Sequence, residues 1–265
     1  MKIAVFSDTH GKWDSMYERA NKSGTDIVLH CGDIEPLRVK EDLDYFPTPT
    51  KYKKPYIDGT REMEFAKYYE KSEVPIPTYF ISGNHENWNY LFKYVEGPVK
   101  LLQNLFYLGC FGYTEINGIK IAGFSKIFGE KDSESFVVDE NTGEYKPYRW
   151  NPESKRDNSP KRASHYHIAD LESLVKITKN TNIDILLLHE NPKTKWQKNN
   201  IESEYGTDDI DLLIQELKPK YAFCGHMHFR NTNTERYQNT TLVNIEENGM
   251  ILLECGDDAI VLSSE

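Results

Sequence analysis

Asp, Asn and His residues stand at five places in this chain where an apolar run gives way to a polar turn. These are Asp8-Thr9-His10, Gly32-Asp33, Gly83-Asn84-His85-Glu86, His189, and Gly225-His226-Met227-His228. Carboxylate oxygen, amide oxygen and imidazole nitrogen together suit Mn, Fe or Zn, and a mixed oxygen and nitrogen set without thiolate argues against a structural zinc finger. An aspartate can bridge two ions, and two cations about 4 Å apart can clamp a phosphate and activate a water. Asp33 is the natural bridging candidate. Each piece alone is common, and a single histidine at a strand end is more often structural than a ligand. All five in this order, each closing a β-like run, point to a metal site.

Those side chains need strands to carry them. Apolar runs at 2–8, 25–33, 77–86, 184–192 and 221–228 predict strands, and helical patterns cover 13–22, 60–72, 164–179 and 210–219, the last stopped by Pro219. Within 60–72, Met63, Phe65, Ala66 and Tyr69 suggest one apolar face. Strand–turn–helix repetition predicts an α/β layered fold, and in such sheets sites form at the carboxyl ends of the strands. Neighbouring glycines let the backbone turn tightly there. Asn117-Gly118 predicts a hairpin within 107–125. The tail from Thr241 reads as two or three antiparallel strands with turns at Asn248-Gly249 and Gly256-Asp257. No repeat of 20–50 residues is visible.

A length of 265 residues suits one large domain, and 28% charged with 38% hydrophobic residues is ordinary for a globular chain. The apolar runs are about five to seven residues long, far short of the roughly 20 that span a membrane. Residues 3–6 read as a first strand, not a signal peptide. Cys31, Cys110, Cys224 and Cys255 form no CxxC pair and read as buried thiols of a reducing compartment. That predicts an intracellular, cytoplasmic location, or a nuclear one in a eukaryotic host. The net charge of −10 opposes nonspecific nucleic-acid binding, although a sum can hide a local basic face.

One such face is readable. The polar insertion at about 129–163 contains Lys146, Arg149, Lys155, Arg156, Lys161 and Arg162 against Glu153 and Asp157, with Tyr148 and Trp150 interleaved. Cations for phosphates and aromatics for stacking are what single-stranded RNA recognition requires. Arg149, Trp150, Arg156 and Arg162 are the candidate substrate contacts. Lys51, Lys53 and Lys54 with Tyr52 and Tyr56 form a second cluster of this kind. His165 and His167 read as helix-start or packing residues.

The motif order DxH, GD, GNHE, H and GHxH resembles the calcineurin-like metallophosphoesterases. That resemblance implies a β-sandwich flanked by helices, in αββα layers, and two divalent metal ions. It implies Asp8, His10, Asp33 and His228 around one ion and Asp33, Asn84, His189 and His226 around the other. His85 would contact the phosphate or protonate the leaving oxygen, with Glu86 as support. The stretches GDIEPLRVKEDLDYFPTPTKYKK, EFAKYYEKSEVPIPTYFISGNHENWNYL, NLFYLGCFGYTEINGIKIAGFSKIFG and ASHYHIADLESL further resemble the RNA lariat debranching enzymes, in register from about residue 3 to residue 230. This narrower resemblance implies hydrolysis of 2′,5′-phosphodiester bonds in branched RNA, with an RNA-recognition loop within 146–162. The alternative is a phosphatase or phosphodiesterase acting on small nucleotides or phosphoproteins. Debranching enzymes typically carry Cys at Asp8, and commonly Ala at Gly225 and Asp at Glu190. Their longer C-terminal region has no counterpart in these 265 residues. Asp8 restores the general two-metal pattern.

Overall fold

The computed structural model describes residues 1–138, 142–153, 159–198, 201–256 and 260–263. Its first half contains β1 (Lys2–Phe6), α1 (Trp13–Lys22), β2 (Ile27–His30), α2 (Thr50–Ile57), α3 (Glu64–Lys71), β3 (Glu73–Phe80), α4 (Trp88–Leu91), β4 (Glu96–Gly109), β5 (Phe111–Ile116) and β6 (Ile119–Phe124). Next come a short hairpin of β7 (Phe136–Val138) and β8 (Tyr145–Pro147), then α5 (Ile168–Ile177) and β9 (Ile185–Leu188). A second hairpin pairs β10 (Thr194–Lys198) with β11 (Ile201–Tyr205). The chain ends with α6 (Asp208–Leu217), β12 (Tyr221–Cys224), β13 (Asn233–Tyr237), β14 (Thr240–Asn244), β15 (Met250–Cys255) and β16 (Ile260–Ser263).

Twelve strands form one curled sheet in the order β13-β14-β12-β9-β6-β5-β4-β3-β2-β1-β15-β16. Successive strand residues point to opposite faces, so the alternation sorts the core into three layers. Ile3 and Val5 of β1 share a buried cluster with Leu29, Ile185, Leu187, Phe223 and Val243, which lies between the two halves of the sheet. Ala4 and Phe6 face the other way and pack with Trp13, Met16 and Phe65 of α1 and α3. On the far side, Leu186 and Leu188 pack with Leu174, Ile210, Leu213 and Ile214 of α5 and α6. This is the expected αββα layering. Full burial of each such side chain contributes about 1.5–3 kcal/mol, so a one-residue slip of a strand would forfeit both layers at once.

Local chemistry agrees with the packing. Thr207 caps α6 by accepting the Ile210 backbone N–H at 3.4 Å, and Asp208, Asp209 and Asp211 occupy the positive end of the helix dipole. Asn117 (φ 50°) and Gly118 (φ 81°) both have the left-handed backbone that a tight hairpin turn demands. Helix α2 was not expected: Pro55 interrupts its pattern, and only Tyr56 is buried in it. The insertion at 129–163 holds the β7–β8 hairpin and a helical turn at Pro160–Ser164.

Parallel pairing aims the strands. β1, β2 and β3 run parallel, and β9 runs parallel with β6 and β12. Parallel strands release their carboxyl ends along one edge, where the five motifs begin.

Candidate metal centre

The loop after β1 supplies Asp8 and His10, that after β2 supplies Asp33, and that after β3 supplies Asn84 and His85. His189 follows β9, and His226 and His228 follow β12. Five of these residues have a left-handed backbone: Asp8 (φ 51°), His10 (46°), Asp33 (56°), His226 (68°) and His228 (46°). This conformation costs an L-residue about 1–2 kcal/mol, and such strain concentrates at functional sites. Gly83 has no side chain for a steric reason. A Cβ there would lie 2.2 Å from Asp33 Oδ1 and 2.5 Å from His189 Nε2, so only glycine lets these two approach.

Ligand atoms of Asp8, His10, Asp33 and His228 all lie within 4.8 Å of one another. His10 Nε2 and His228 Nε2 face each other at 3.3 Å, and His228 Nε2 is 3.1 Å from Asp8 Oδ1. Beside this group, His189 Nε2 lies 3.1 Å from Asn84 Oδ1 and 3.4 Å from Asp33 Oδ1. The His226 ring is 5.1 Å from the His189 ring, centroid to centroid. Asp33 stands where the two groups meet. Its Oδ1 accepts the His85 backbone N–H at 2.6 Å, while its buried Oδ2 has no hydrogen-bond partner among the described residues. An orphaned buried carboxylate oxygen between two sets of oxygen and nitrogen donors fits a bridging ligand of two divalent cations.

The carboxylates and histidines also balance one another's charge. Burial alone would push the Asp8 carboxyl up, but the hydrogen bond from His228 and the His189 charge hold it down to about 2. Burial opposes charge on His189 too, yet Asp33 lifts it to about 10. For Asp33, burial is likewise outweighed by His189, and its carboxyl is held well below the usual range.

The neighbouring residues orient the ligands, and here sequence reasoning missed several. His189 Nδ1 is 2.8 Å from the Cys31 carbonyl, which fixes the ring and directs Nε2 into the site. Glu35 Oε1 does the same for His10 Nδ1 at 2.9 Å and accepts the Tyr56 hydroxyl on Oε2 at 3.1 Å. Ser7 donates to Asp8 Oδ2 at 2.5 Å, and Asn191 Nδ2 holds the Gly225 carbonyl at 2.9 Å. None of these sits in a recognisable motif, although Glu35 follows Asp33 by two residues. Glu86 has the supporting role expected of it. Its buried carboxyl accepts the backbone N–H groups of Ile34, Glu35 and Gly83 at 3.1–3.2 Å, tying the GD loop to the GNHE loop. His30, hydrogen-bonded to Thr9 Oγ1 at 2.9 Å, is held neutral by burial, down to about 3.

His85 is half-buried beside the cluster, its ring 5.5 Å from that of His10 and 6.2 Å from that of Phe46. The expected substrate contacts divide. Trp150 is 5% exposed and packs in the core near Tyr45 and Phe92, because its large apolar ring completes the layer over β1–β3. It therefore offers no stacking face, which corrects the expectation for that residue. Arg149 forms a two-pronged ion pair with Asp170, and Arg162 donates to Asp132 and lies 4.4 Å over the Tyr148 ring. Arg156 lies outside the described residues. His167 caps α5, as its helix-start reading anticipates.

Known proteins match this geometry. The sequence profile described as calcineurin-like phosphoesterase matches residues 1–230. A lariat debranching enzyme from Arabidopsis thaliana is 31% identical over 86% of this chain and 54% of its own length. One from Entamoeba histolytica is 32% identical over 85% and 63%, and one from Homo sapiens 29% over 87% and 42%. The chain thus spans about half the length of these curated relatives. A dimetal phosphatase from Danio rerio (TM-score 0.55, 8% identity, 99% of this chain and 95% of that one) shares the fold. So does a putative 5′-nucleotidase from Staphylococcus aureus (TM-score 0.53, 12% identity, 100% and 53%). No helix among the described residues is long and apolar enough to cross a membrane. With the motif order, the sheet and the converging ligands in agreement, this chain belongs to the calcineurin-like phosphoesterase family.

Proposed function

We propose that this chain hydrolyses phosphodiester bonds at a two-metal centre and that its substrate is branched RNA joined through a 2′,5′ linkage. One observation carries the hydrolytic reading: two donor sets meet at Asp33, whose buried Oδ2 has no partner among the described residues. Asp8, His10, Asp33 and His228 would hold one ion, and Asp33, Asn84, His189 and His226 the other, with Mn, Fe or Zn all suited to such donors. A bound pair would supply charge stabilisation to the phosphate and a water of lowered pKa.

The protein's own contribution is positional. Glu35 and the Cys31 carbonyl fix the His10 and His189 rings, so little reorganisation is needed as charge develops. His85 is tethered through its backbone to Asp33, and its half-buried ring, beside His10 and Glu35, would donate a proton to the leaving oxygen. Arg149 and Arg162, with side chains 31% and 28% exposed, would meet RNA phosphates by exchanging their Asp170 and Asp132 partners for them, and Arg156 belongs to the same proposal.

The choice of RNA is supported by similarity to lariat debranching enzymes over 86% of the chain. A second reading, hydrolysis of small nucleotides, is favoured by the pocket beside His85, which at ≈ 410 Å³ holds a single nucleoside. Incubation with a short synthetic branched RNA and Mn, beside a linear 3′,5′ control, tests the proposal. Selective cleavage at the branch is the expected result. Turnover of a generic phosphodiester with no branch cleavage would overturn the RNA assignment and leave the small-nucleotide reading.

A further inference from the structure

The second cluster of lysines and tyrosines has a use that the metal centre does not absorb. Helix α2 and the segment before it form one wall of a pocket of ≈ 410 Å³ whose floor is His10 and His85. Phe46, Thr48, Tyr52 and Tyr56 line this wall, and Lys12 and Arg61 also line the pocket. We propose that this pocket is a nucleobase subsite, holding the base of the nucleoside joined to the phosphate at the metal centre. The proposal rests on the hydrolase reading and names the group recognised next to the scissile bond.

Four features support it. Tyr52 is 52% exposed, a large apolar ring left open at the pocket mouth, with Lys51 Nζ 4.6 Å from its centroid. An open aromatic face beside cations is a stacking platform for a base. Thr48 adds a hydroxyl-bearing side chain to the pocket lining, and a base edge carries both donors and acceptors. Tyr56 and Arg61 are fixed: the Tyr56 hydroxyl donates to Glu35 Oε2 at 3.1 Å, while the Arg61 guanidinium lies 4.7 Å over the Tyr56 ring and donates to the His10 carbonyl. Finally, Gly11 (φ 74°) gives this wall its closeness to the site. A Cβ there would meet the Tyr56 hydroxyl at 2.8 Å and the Glu35 carboxylate at 3.3 Å. The same residues that seat His10 thereby build the pocket, so one cavity is lined both by α2 and by His10, His85 and His228.

Lysines of the cluster divide accordingly. Lys53 is used structurally, donating to the Leu43 carbonyl at 2.7 Å.

Equilibrium binding to the Mn-loaded full chain tests the subsite, read by calorimetry with adenosine 5′-monophosphate, ribose 5-phosphate and phosphotyrosine. Adenosine monophosphate should bind about tenfold more tightly than ribose 5-phosphate, the loss expected for one unstacked base. Tyr52→Ala should erase that difference and Tyr52→Phe should keep it; Tyr52 is half exposed, so neither change disturbs the core. Equal binding of the first two probes, a base preference that survives Tyr52→Ala, or phosphotyrosine binding as tightly as adenosine monophosphate would each overturn the assignment. Because binding is read without turnover, failure to hydrolyse any phosphodiester would overturn the hydrolase reading alone.

Discussion

Asp33 Oδ1 accepts the backbone N–H of His85 at 2.6 Å, so one carboxylate both anchors the loop of the expected proton donor and offers its other oxygen to the metal centre. Removing Asp33 should therefore undo both donor sets together. Mn or Zn added to the metal-free wild type should raise Tm, with about 2.7 kcal/mol of stabilisation at a hundredfold excess over Kd. Asp33→Ala should show almost none of that rise in differential scanning fluorimetry. A metal-induced rise of wild-type size in the variant would rule out the bridging role.

His85 should separate from the ligands by experiment. His85→Ala should lower kcat on a nitrophenyl phosphodiester by about 10²–10⁴, the usual worth of a positioned proton donor. Its metal content, measured by elemental analysis, should stay at the wild-type level, since no ligand is removed. Full activity in the purified variant would show that the leaving oxygen is protonated from elsewhere.

Glu35 tests how far the surrounding residues set metal affinity. Its Oε1 holds His10 Nδ1 at 2.9 Å. Glu35→Ala should weaken metal binding about 10- to 100-fold, as loss of a ligand's orienting partner does elsewhere. Glu35→Gln keeps an acceptor oxygen and should lose less. Equal metal affinity in wild type and Glu35→Ala, by competitive chelator titration, would remove Glu35 from the site.

The contrast between Asp33 and Glu35 shows what the sequence could carry. Asp33, His85 and the other candidate site residues were legible because each lies where an apolar run ends, and strand ends in a parallel sheet converge. An α/β layered fold was legible in the succession of apolar runs and helical patterns, whereas the αββα arrangement came with the family resemblance, because a continuous apolar run such as Ile3 to Phe6 does not say which side chains face which layer. Glu35 was not legible, because its partnership with His10 depends on a left-handed backbone at residue 35 (φ 54°), which no periodicity encodes. Trp150 was misread because a polar neighbourhood in sequence says nothing about which side of a loop meets the core. Helix α2 was hidden by Pro55, although its Tyr52 and Tyr56 carry the pocket wall.

Two departures from the debranching pattern, Asp8 for Cys and Gly225 for Ala, are sterically linked. A Cβ on Gly225 would lie 1.9 Å from Ser7 Oγ and 2.4 Å from Asp8 Oδ2. Gly225→Ala should displace the Asp8 carboxylate, weaken metal binding, and cost about 1–3 kcal/mol of stability through overpacking. Cysteine at position 8 carries no side-chain oxygen to accommodate and frees Ser7 Oγ, which donates to Asp8 Oδ2 here, to rotate. The double variant Asp8→Cys with Gly225→Ala should regain Tm relative to Gly225→Ala alone. Additive losses in chemical denaturation would show that the two positions are independent.

Arg38 and Asp42 offer a pH-dependent test away from the metal centre. Arg38 Nε donates to Asp42 Oδ2 at 3.0 Å, and its terminal nitrogen donates to Oδ1 at 2.7 Å. The same guanidinium lies 4.3 Å over the Tyr90 ring. Burial pushes the Asp42 carboxyl up, but the Arg38 hydrogen bonds outweigh it and hold the carboxyl below its usual value. A carboxyl depressed on folding adds stability above its unfolded pKa of about 3.9, and that stability is lost as pH falls through the lower folded value. Asp42→Asn should therefore cost about 2 kcal/mol at pH 7, typical of a hydrogen-bonded charge partner. The gap between variant and wild type should narrow as pH falls below about 4, as the wild-type carboxyl takes up its proton. A gap in urea denaturation that stays constant from pH 7 to pH 3 would show that Asp42 contributes by shape and not by charge.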